Sequence, residues 1–182
     1  IDGGATYDEM AKLTASDAAS LDLFGYSVAI DGDTIVVGAS RAGTGGATYV
    51  FLTTDGGATY VEVAKLTAAD GAYNDNFGDS VAINGDTVVV GAHQWSIYGT
   101  GLAYVYRTTD GGGPYPQVAK LSSDCVNVLY PSQPCSGDAF GAALAISASG
   151  DTVVAGACGH DGAKVDGAAD SGLEEDDGAT ST

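Results

Sequence analysis

The stretch from Phe24 to Ala39, FGYSVAIDGDTIVVGA, recurs as FGDSVAINGDTVVVGA from Phe77 to Ala92 and as FGAALAISASGDTVVAGA from Phe140 to Ala157. SVAI and TIVV are short, apolar and rich in β-branched residues. Between them Asp31-Gly32-Asp33 supplies the positive φ that a tight hairpin turn needs. Each copy therefore reads as a buried β-hairpin. A chain that makes the same buried hairpin three times is restricted to architectures built by stacking equivalent units.

The spacing narrows the choice. Ala-Lys-Leu begins at Ala11, Ala64 and Ala119, and Phe-Gly at Phe24, Phe77 and Phe140, so the first step is 53 residues in both series. The second step is 55 in one series and 63 in the other, which places an insertion between Leu121 and Phe140. Each period holds four strand candidates, in the first copy near Tyr26–Ile30, Thr34–Val37, Ala47–Leu52 and Tyr60–Leu66. Four short antiparallel strands in a period of roughly 40–55 residues is the signature of a propeller blade. Twenty-eight glycines and four prolines, with 45% apolar residues and no helical periodicity, agree with an all-β fold.

The paired elements Phe24-Gly25 with Gly38-Ala39, Phe77-Gly78 with Gly91-Ala92, and Phe140-Gly141 with Gly156-Ala157 resemble FG-GAP repeats, the blades of integrin α-subunit-like β-propellers. The resemblance covers nearly the whole chain. It implies blades of four antiparallel strands, about three blades' worth, in an extracellular module. A second likeness runs beside it. TTDGGATY, Thr53 to Tyr60, is similar to the Asp-box hairpin between the third and fourth strands of sialidase-like propellers. Asp2, Gly4, Thr6 and Tyr7 match its later positions, and Asp110 and Gly112 match in a third copy where Pro114 replaces the threonine. Its hydroxyl and carboxylate are expected to satisfy turn amides, a structural role.

In this register residues 1–20 are the last strand of a preceding blade with its connection, 21–73 a blade, 74–136 a blade with the start of the cysteine loop, and 137–182 a partial blade with a long acidic loop. Closed propellers have about four to eight blades. Two explanations stand: an excerpt of a longer chain, favoured by a cut inside a blade at both ends, or copies that assemble through open blade edges.

A formal charge of −18, carried almost wholly by aspartate, repels phosphate backbones and excludes nucleic acid as an expected partner. Many aspartates stand beside glycine, where the side chain serves a turn. No run of about 18 apolar residues predicts a membrane span. Cys125 and Cys135 flank the insertion CVNVLYPSQPC and are the candidate disulfide of an oxidising compartment; Cys158 is left over.

In an up-and-down blade successive connections alternate between the two faces of the wheel. The first-to-second and third-to-fourth turns, DGDT and TTDGG with their relatives, are short and nearly constant. The other face carries SRAGTG after Ala39, HQWSIYGTG after Ala92 and the acidic loop after Ala157, and is the expected binding face. His93, Gln94, Trp95 and Tyr98, with Tyr73 in the preceding connection, form the candidate ligand-binding cluster. Aromatic rings among amides and carboxylates suit a glycan or a protein surface, and equally the covering of a blade top.

The resemblance also raises calcium, which the family often binds through an Asp-x-Asp-x-Asp-Gly loop in the first turn. Here that turn is Asp31-Gly32-Asp33, Asn84-Gly85-Asp86 or Gly150-Asp151, too short to bring six or more oxygens round the ion. Asp161, Asp166 and Asp170 of the acidic loop remain as candidate Ca²⁺ carboxylates, beside the plainer reading of a solvated loop. Asp22, Asp75 and Asp138, each two residues before a phenylalanine, read as turn caps. His93 and His160 have no nucleophile motif nearby, and Arg41 and Arg107 make no arginine cluster. The expected function is a non-catalytic extracellular propeller for structural assembly or cell-surface and matrix adhesion. The alternatives are a carbohydrate-binding propeller and the accessory propeller of a larger extracellular enzyme.

Overall fold

The computed structural model of the chain describes residues 8–93, 100–122, 139–157 and 164–165. These form three antiparallel sheets in chain order. The first holds β1 (Phe24–Asp31), β2 (Thr34–Ala39), β3 (Ala47–Leu52) and β4 (Val61–Leu66), each paired with the next. The second repeats it with β5 (Ser80–Asn84), β6 (Thr87–Ala92), β7 (Leu102–Arg107) and β8 (Gln117–Ser122). The third has β9 (Phe140–Ile146), β10 (Val153–Ala157) and the two-residue β11 (Lys164–Val165). β1 lies against β5 and β5 against β9, so the first strands of successive sheets share the inner side of the array. These are blades of a β-propeller.

The hairpin at the head of each blade follows from its sequence. Asp31 pairs with Thr34, so the turn is Gly32-Asp33, and Gly32 supplies a positive φ of 54°. Gly85 does the same at 52° in the second blade. The Phe-Gly element before each hairpin is a bulge: Phe24 faces Ala39 but Ser27 faces Gly38, leaving Gly25 and Tyr26 out of register. Gly25, Gly78 and Gly141 hold this bulge at φ of 89°, 90° and 87°, a region that L side chains avoid.

The bulge carries each blade onto the one before it. Phe77 forms an isolated parallel bridge with Gly46, and Phe140 with Gly101. The Phe77 N–H donates to the Gly45 carbonyl at 2.8 Å, and the Ser27 hydroxyl to the Gly78 carbonyl at 2.7 Å. The glycines of Gly-Ala leave room for this. A Cβ on Gly38 would stand 1.9 Å from the Gly78 carbonyl oxygen, and one on Gly91 2.1 Å from that of Gly141. The Phe24 and Phe77 rings then pack edge-on against their own third strands, Phe24 on Tyr49 at 5.7 Å and Phe77 on Tyr104 at 5.4 Å between centroids.

The cores lie between sheets, not within them. Val36 and Val50 of the first blade meet Phe77, Val88, Val90 and Tyr104 of the second. Val89, Ala103 and Val105 of the second meet Phe140, Val153 and Ala155 of the third. Strand alternation sends Val36 forward and Val37 backward, which is why a run such as TVVVGA is buried throughout.

Residues 8–15, read as the last strand of a preceding blade, form no strand, because no third strand lies beside them among the described residues. Leu13 and Ala15 instead cover part of the backward face of the first sheet beside Tyr49. In the third blade β10 pairs with the two-residue β11 at Lys164–Val165.

If this backbone contact sets blade stacking, Gly38→Ala costs about 2–3 kcal/mol by overpacking. Gly32→Ala, with open space around it, costs only about 1 kcal/mol for its positive φ. Urea midpoints of the two variants compare these costs, and equal losses would reject the packing account.

Candidate functional site

The two faces of the wheel differ in what their loops are used for. On one face the turns are occupied by their own hydrogen bonds. The Thr53 hydroxyl accepts from the Gly57 N–H at 2.9 Å, and the Asp55 carboxylate accepts from the Thr59 N–H at 2.8 Å and the Thr59 hydroxyl at 2.6 Å. The Thr59 hydroxyl and amide, with Thr53, hold the Asp55 carboxyl down from 3.8 to about 2. Thr108 and Asp110 repeat the core of this arrangement, with Asp110 also lowered, first by Thr108. Arg107 is on this face too, its Nε donating to the Thr87 hydroxyl at 3.1 Å.

On the opposite face the β2–β3 loop, Ser40 to Gly46, stands between two connections, residues 20–22 and 73–76. Together they line a cleft of about 400 Å³. Gly43, Gly45 and Gly46 line it together with the polar side chains of Ser20, Asp22, Ser40, Arg41, Thr44, Tyr73, Asn74 and Asn76. Arg41 is exposed, its backbone N–H held by the Asp22 carbonyl at 3.2 Å. Tyr73 is 78% exposed. Asn74 and Asn76 adopt φ of 69° and 55°, conformations that asparagine tolerates better than most residues. Asp75 between them caps the turn by accepting the Ala72 N–H at 2.6 Å, and Asp22 accepts from Ala19 at 2.8 Å, as their recurrence predicts. Asp138 lies outside the described residues.

His93, directly after β6, forms an ion pair through Nδ1 with Asp79, directly before β5. Both side chains are largely buried. The Asp79 carboxylate raises the imidazole above its ordinary 6.5, against the burial that pulls it down. The equivalent positions are Ser40 and Tyr26 in the first blade, so the pair belongs to the second blade's own chemistry. His93 does not line the Tyr73 cleft. Gln94, Trp95 and Tyr98 of the same candidate cluster lie outside the described residues, as do Cys125, Cys135, Asp161, Asp166 and Asp170. Among the described residues no three His, Cys, Asp or Glu side chains converge as metal ligands would.

One constellation escaped the sequence reading. Asp17 accepts the Tyr49 hydroxyl at 2.8 Å and pairs with Lys65 at 2.5 Å, and Asp70 holds Tyr104 at 3.0 Å and Lys120 in the same way. Asp17 follows residues 8–15 and Asp70 follows β4, and each grips the third and fourth strands of the blade after it. Lys65 and Lys120 also sit over the Tyr49 and Tyr104 rings. The signal was present: an aspartate recurs five residues after the lysine of Ala-Lys-Leu, at Asp17 and Asp70. Its once-per-blade repetition marks it as a clasp between blades.

The FG-GAP repeat profile matches residues 7–51 and 60–106, together half of the chain. The chain belongs to the FG-GAP repeat family. Each matched stretch runs from the segment before a blade through that blade's third strand, and so contains the Phe-Gly and Gly-Ala elements of the first and second blades. No curated protein matches the sequence. Among solved structures, that of Saccharomyces cerevisiae Sqt1 aligns at 10% identity with a TM-score of 0.47, over 75% of this FG-GAP chain and 30% of Sqt1. The FG-GAP chain therefore spans less than a third of that structure's length. Among the described residues no helix is long and apolar enough to cross a membrane.

Two titrations test the faces separately. The depressed Asp55 carboxyl stabilises the fold fully above its ordinary 3.8, and that contribution is lost as pH falls through about 2. Asp55→Asn therefore flattens the acid limb of a stability-against-pH curve over this window. The raised His93 pair contributes fully below pH 6.5 and fades as pH climbs past the folded value. In NMR, the His93 midpoint stands above 6.5 and drops in Asp79→Asn.

Proposed function

We propose that this FG-GAP chain is a non-catalytic extracellular β-propeller module that serves structural assembly or adhesion at the cell surface or matrix. The observation that carries this reading is the division of labour between the faces. The turns of one face are closed by their own Thr and Asp hydrogen bonds, while the other face, whose connections are capped by Asp22 and Asp75, opens a cleft lined by Arg41, Tyr73, Asn74 and Asn76. Membership of the FG-GAP family, whose repeats are typical of extracellular proteins, supports the location, and so does the cysteine pair Cys125 and Cys135.

A carbohydrate ligand is the second reading, favoured by one observation. The Tyr73 ring is exposed beside side-chain amides and a guanidinium, a combination that stacks on a sugar face while its donors and acceptors meet hydroxyls. Calcium, if the module uses it, would be held by Asp161, Asp166 and Asp170.

The test is binding of the purified chain to a glycan array and to a panel of immobilised matrix proteins. Tyr73→Ala and Arg41→Ala each weaken the interaction about tenfold, equal to about 1.4 kcal/mol, while Arg107→Ala on the opposite face leaves it unchanged. Glycan binding with no matrix-protein binding selects the second reading. Reproducible glycan hydrolysis, abolished by loop substitutions, would overturn both.

A further inference from the structure

The cleft beside Tyr73 holds a positive charge that the fold does not use. The chain has 24 acidic and 6 basic side chains, so a cation has many possible partners. Lys65 is taken by Asp17, Lys120 by Asp70, and the Arg107 Nε by the Thr87 hydroxyl. Arg41 differs. Its backbone N–H is tied to the Asp22 carbonyl, which fixes where the side chain leaves the loop, but its guanidinium has no ion pair or hydrogen bond among the described residues. The acids of the two neighbouring connections are occupied in their own turns: Asp22 accepts the Ala19 N–H, and the buried Asp75 that of Ala72. Among the described residues the Tyr73 hydroxyl and the side-chain amides of Asn74 and Asn76 are likewise without a hydrogen-bond partner. Gly43 leaves open space where a side chain would stand.

We propose that the sugar bound in this cleft is an acidic one, a terminal hexuronic acid whose carboxylate is held by Arg41 while its ring lies on the face of Tyr73. The inference rests on the carbohydrate reading given above and names the sugar class. A guanidinium fork matches a planar carboxylate, with two parallel N–H donors meeting its two oxygens. Asn74 and Asn76 each offer a donor and an acceptor for ring hydroxyls. The cleft of about 400 Å³ falls within the range of about 300–1,000 Å³ of small-ligand sites. Charge then selects among anions. One guanidinium neutralises the single charge of a carboxylate, whereas a phosphate monoester brings about −1.5 to −2. In a chain that already carries −18 the surplus is repelled. An extended polyanion is repelled for the same reason, so a single acidic sugar at a chain end is the form that the site admits.

NMR titration of the purified chain, which reads the weak affinities of single sugars, tests this. The probes are methyl glucuronide and methyl galacturonide, their neutral counterparts methyl glucoside and methyl galactoside, and the methyl esters of the two acids, which keep the shape and remove the charge. At least one of the acids binds about tenfold or more tighter than its neutral counterpart and its ester, and the advantage shrinks between about 0.05 M and about 0.5 M salt. Arg41→Gln brings acid and neutral sugar to the same affinity, and Tyr73→Ala weakens both alike. Arg107→Gln on the opposite face changes neither, and circular dichroism shows that each variant keeps its strands. A neutral sugar that binds as tightly as the acid overturns the proposal and leaves the carbohydrate reading standing. A preference for the acid that survives Arg41→Gln also overturns it, as does tighter binding of a sulfated monosaccharide than of either uronide. If none of the sugars binds, the carbohydrate reading falls and this inference falls with it.

Discussion

Everything in this array depends on how closely two backbones approach at the junction between blades. The carbonyl of Gly78 or Gly141 lies where a side chain would otherwise begin on Gly38 or Gly91. That closeness needs glycine on both sides, one for space and one for a φ near 90°. Once it is made, the bulge delivers Phe77 and Phe140 into the inter-blade core and aligns the next hairpin. The apolar burial that drives folding is thus gated by a contact that involves no side chain on either backbone. The clasps of Asp17 and Asp70 tie the outer strands, and being largely exposed they add little energy beyond orientation.

This explains which parts of the molecule were legible in the sequence. Phe-Gly and Gly-Ala, the two-residue turn and the run of β-branched residues each have one physical solution, so strands β1 to β4 fall where pattern places them, within a residue or two, and the later blades repeat them. Residues 8–15 form no strand although their composition copies a fourth strand, because among the described residues no third strand lies beside them. A strand is a property of a pair. The Asp17 and Asp70 clasps went unseen for a related reason: their partners are 32 to 50 residues away in sequence, and only the stacking of blades brings them together.

The candidate site divides in the same way. That loops after β2 and β4 share a face follows from antiparallel topology alone, and Tyr73 was found by that route. Arg41, Asn74 and Asn76 were not, because their convergence rests on positive φ at Asn74 and Asn76 and on the path of a glycine-rich loop. His93 was singled out as part of an aromatic cluster, yet its described partner is Asp79. A histidine and an aspartate separated by one hairpin were brought together by the register of β5 with β6.

A scaffold whose junctions are made by backbone and glycine has a consequence for its loops. The β2–β3 loop needs only Gly45 and Gly46 for docking the next blade, where a Cβ would meet Ala72 or Phe77 within 2.7 Å. Of the residues before them Ala42 packs into the core and Gly43 takes a φ of 62°, whereas Arg41 and Thr44 are exposed. Specific chemistry can therefore be placed on that face at little expense to stacking. The opposite face has no such freedom, because its Thr and Asp side chains are the fastenings of its own hairpins. Recognition and stability thus draw on different residues of the same repeat.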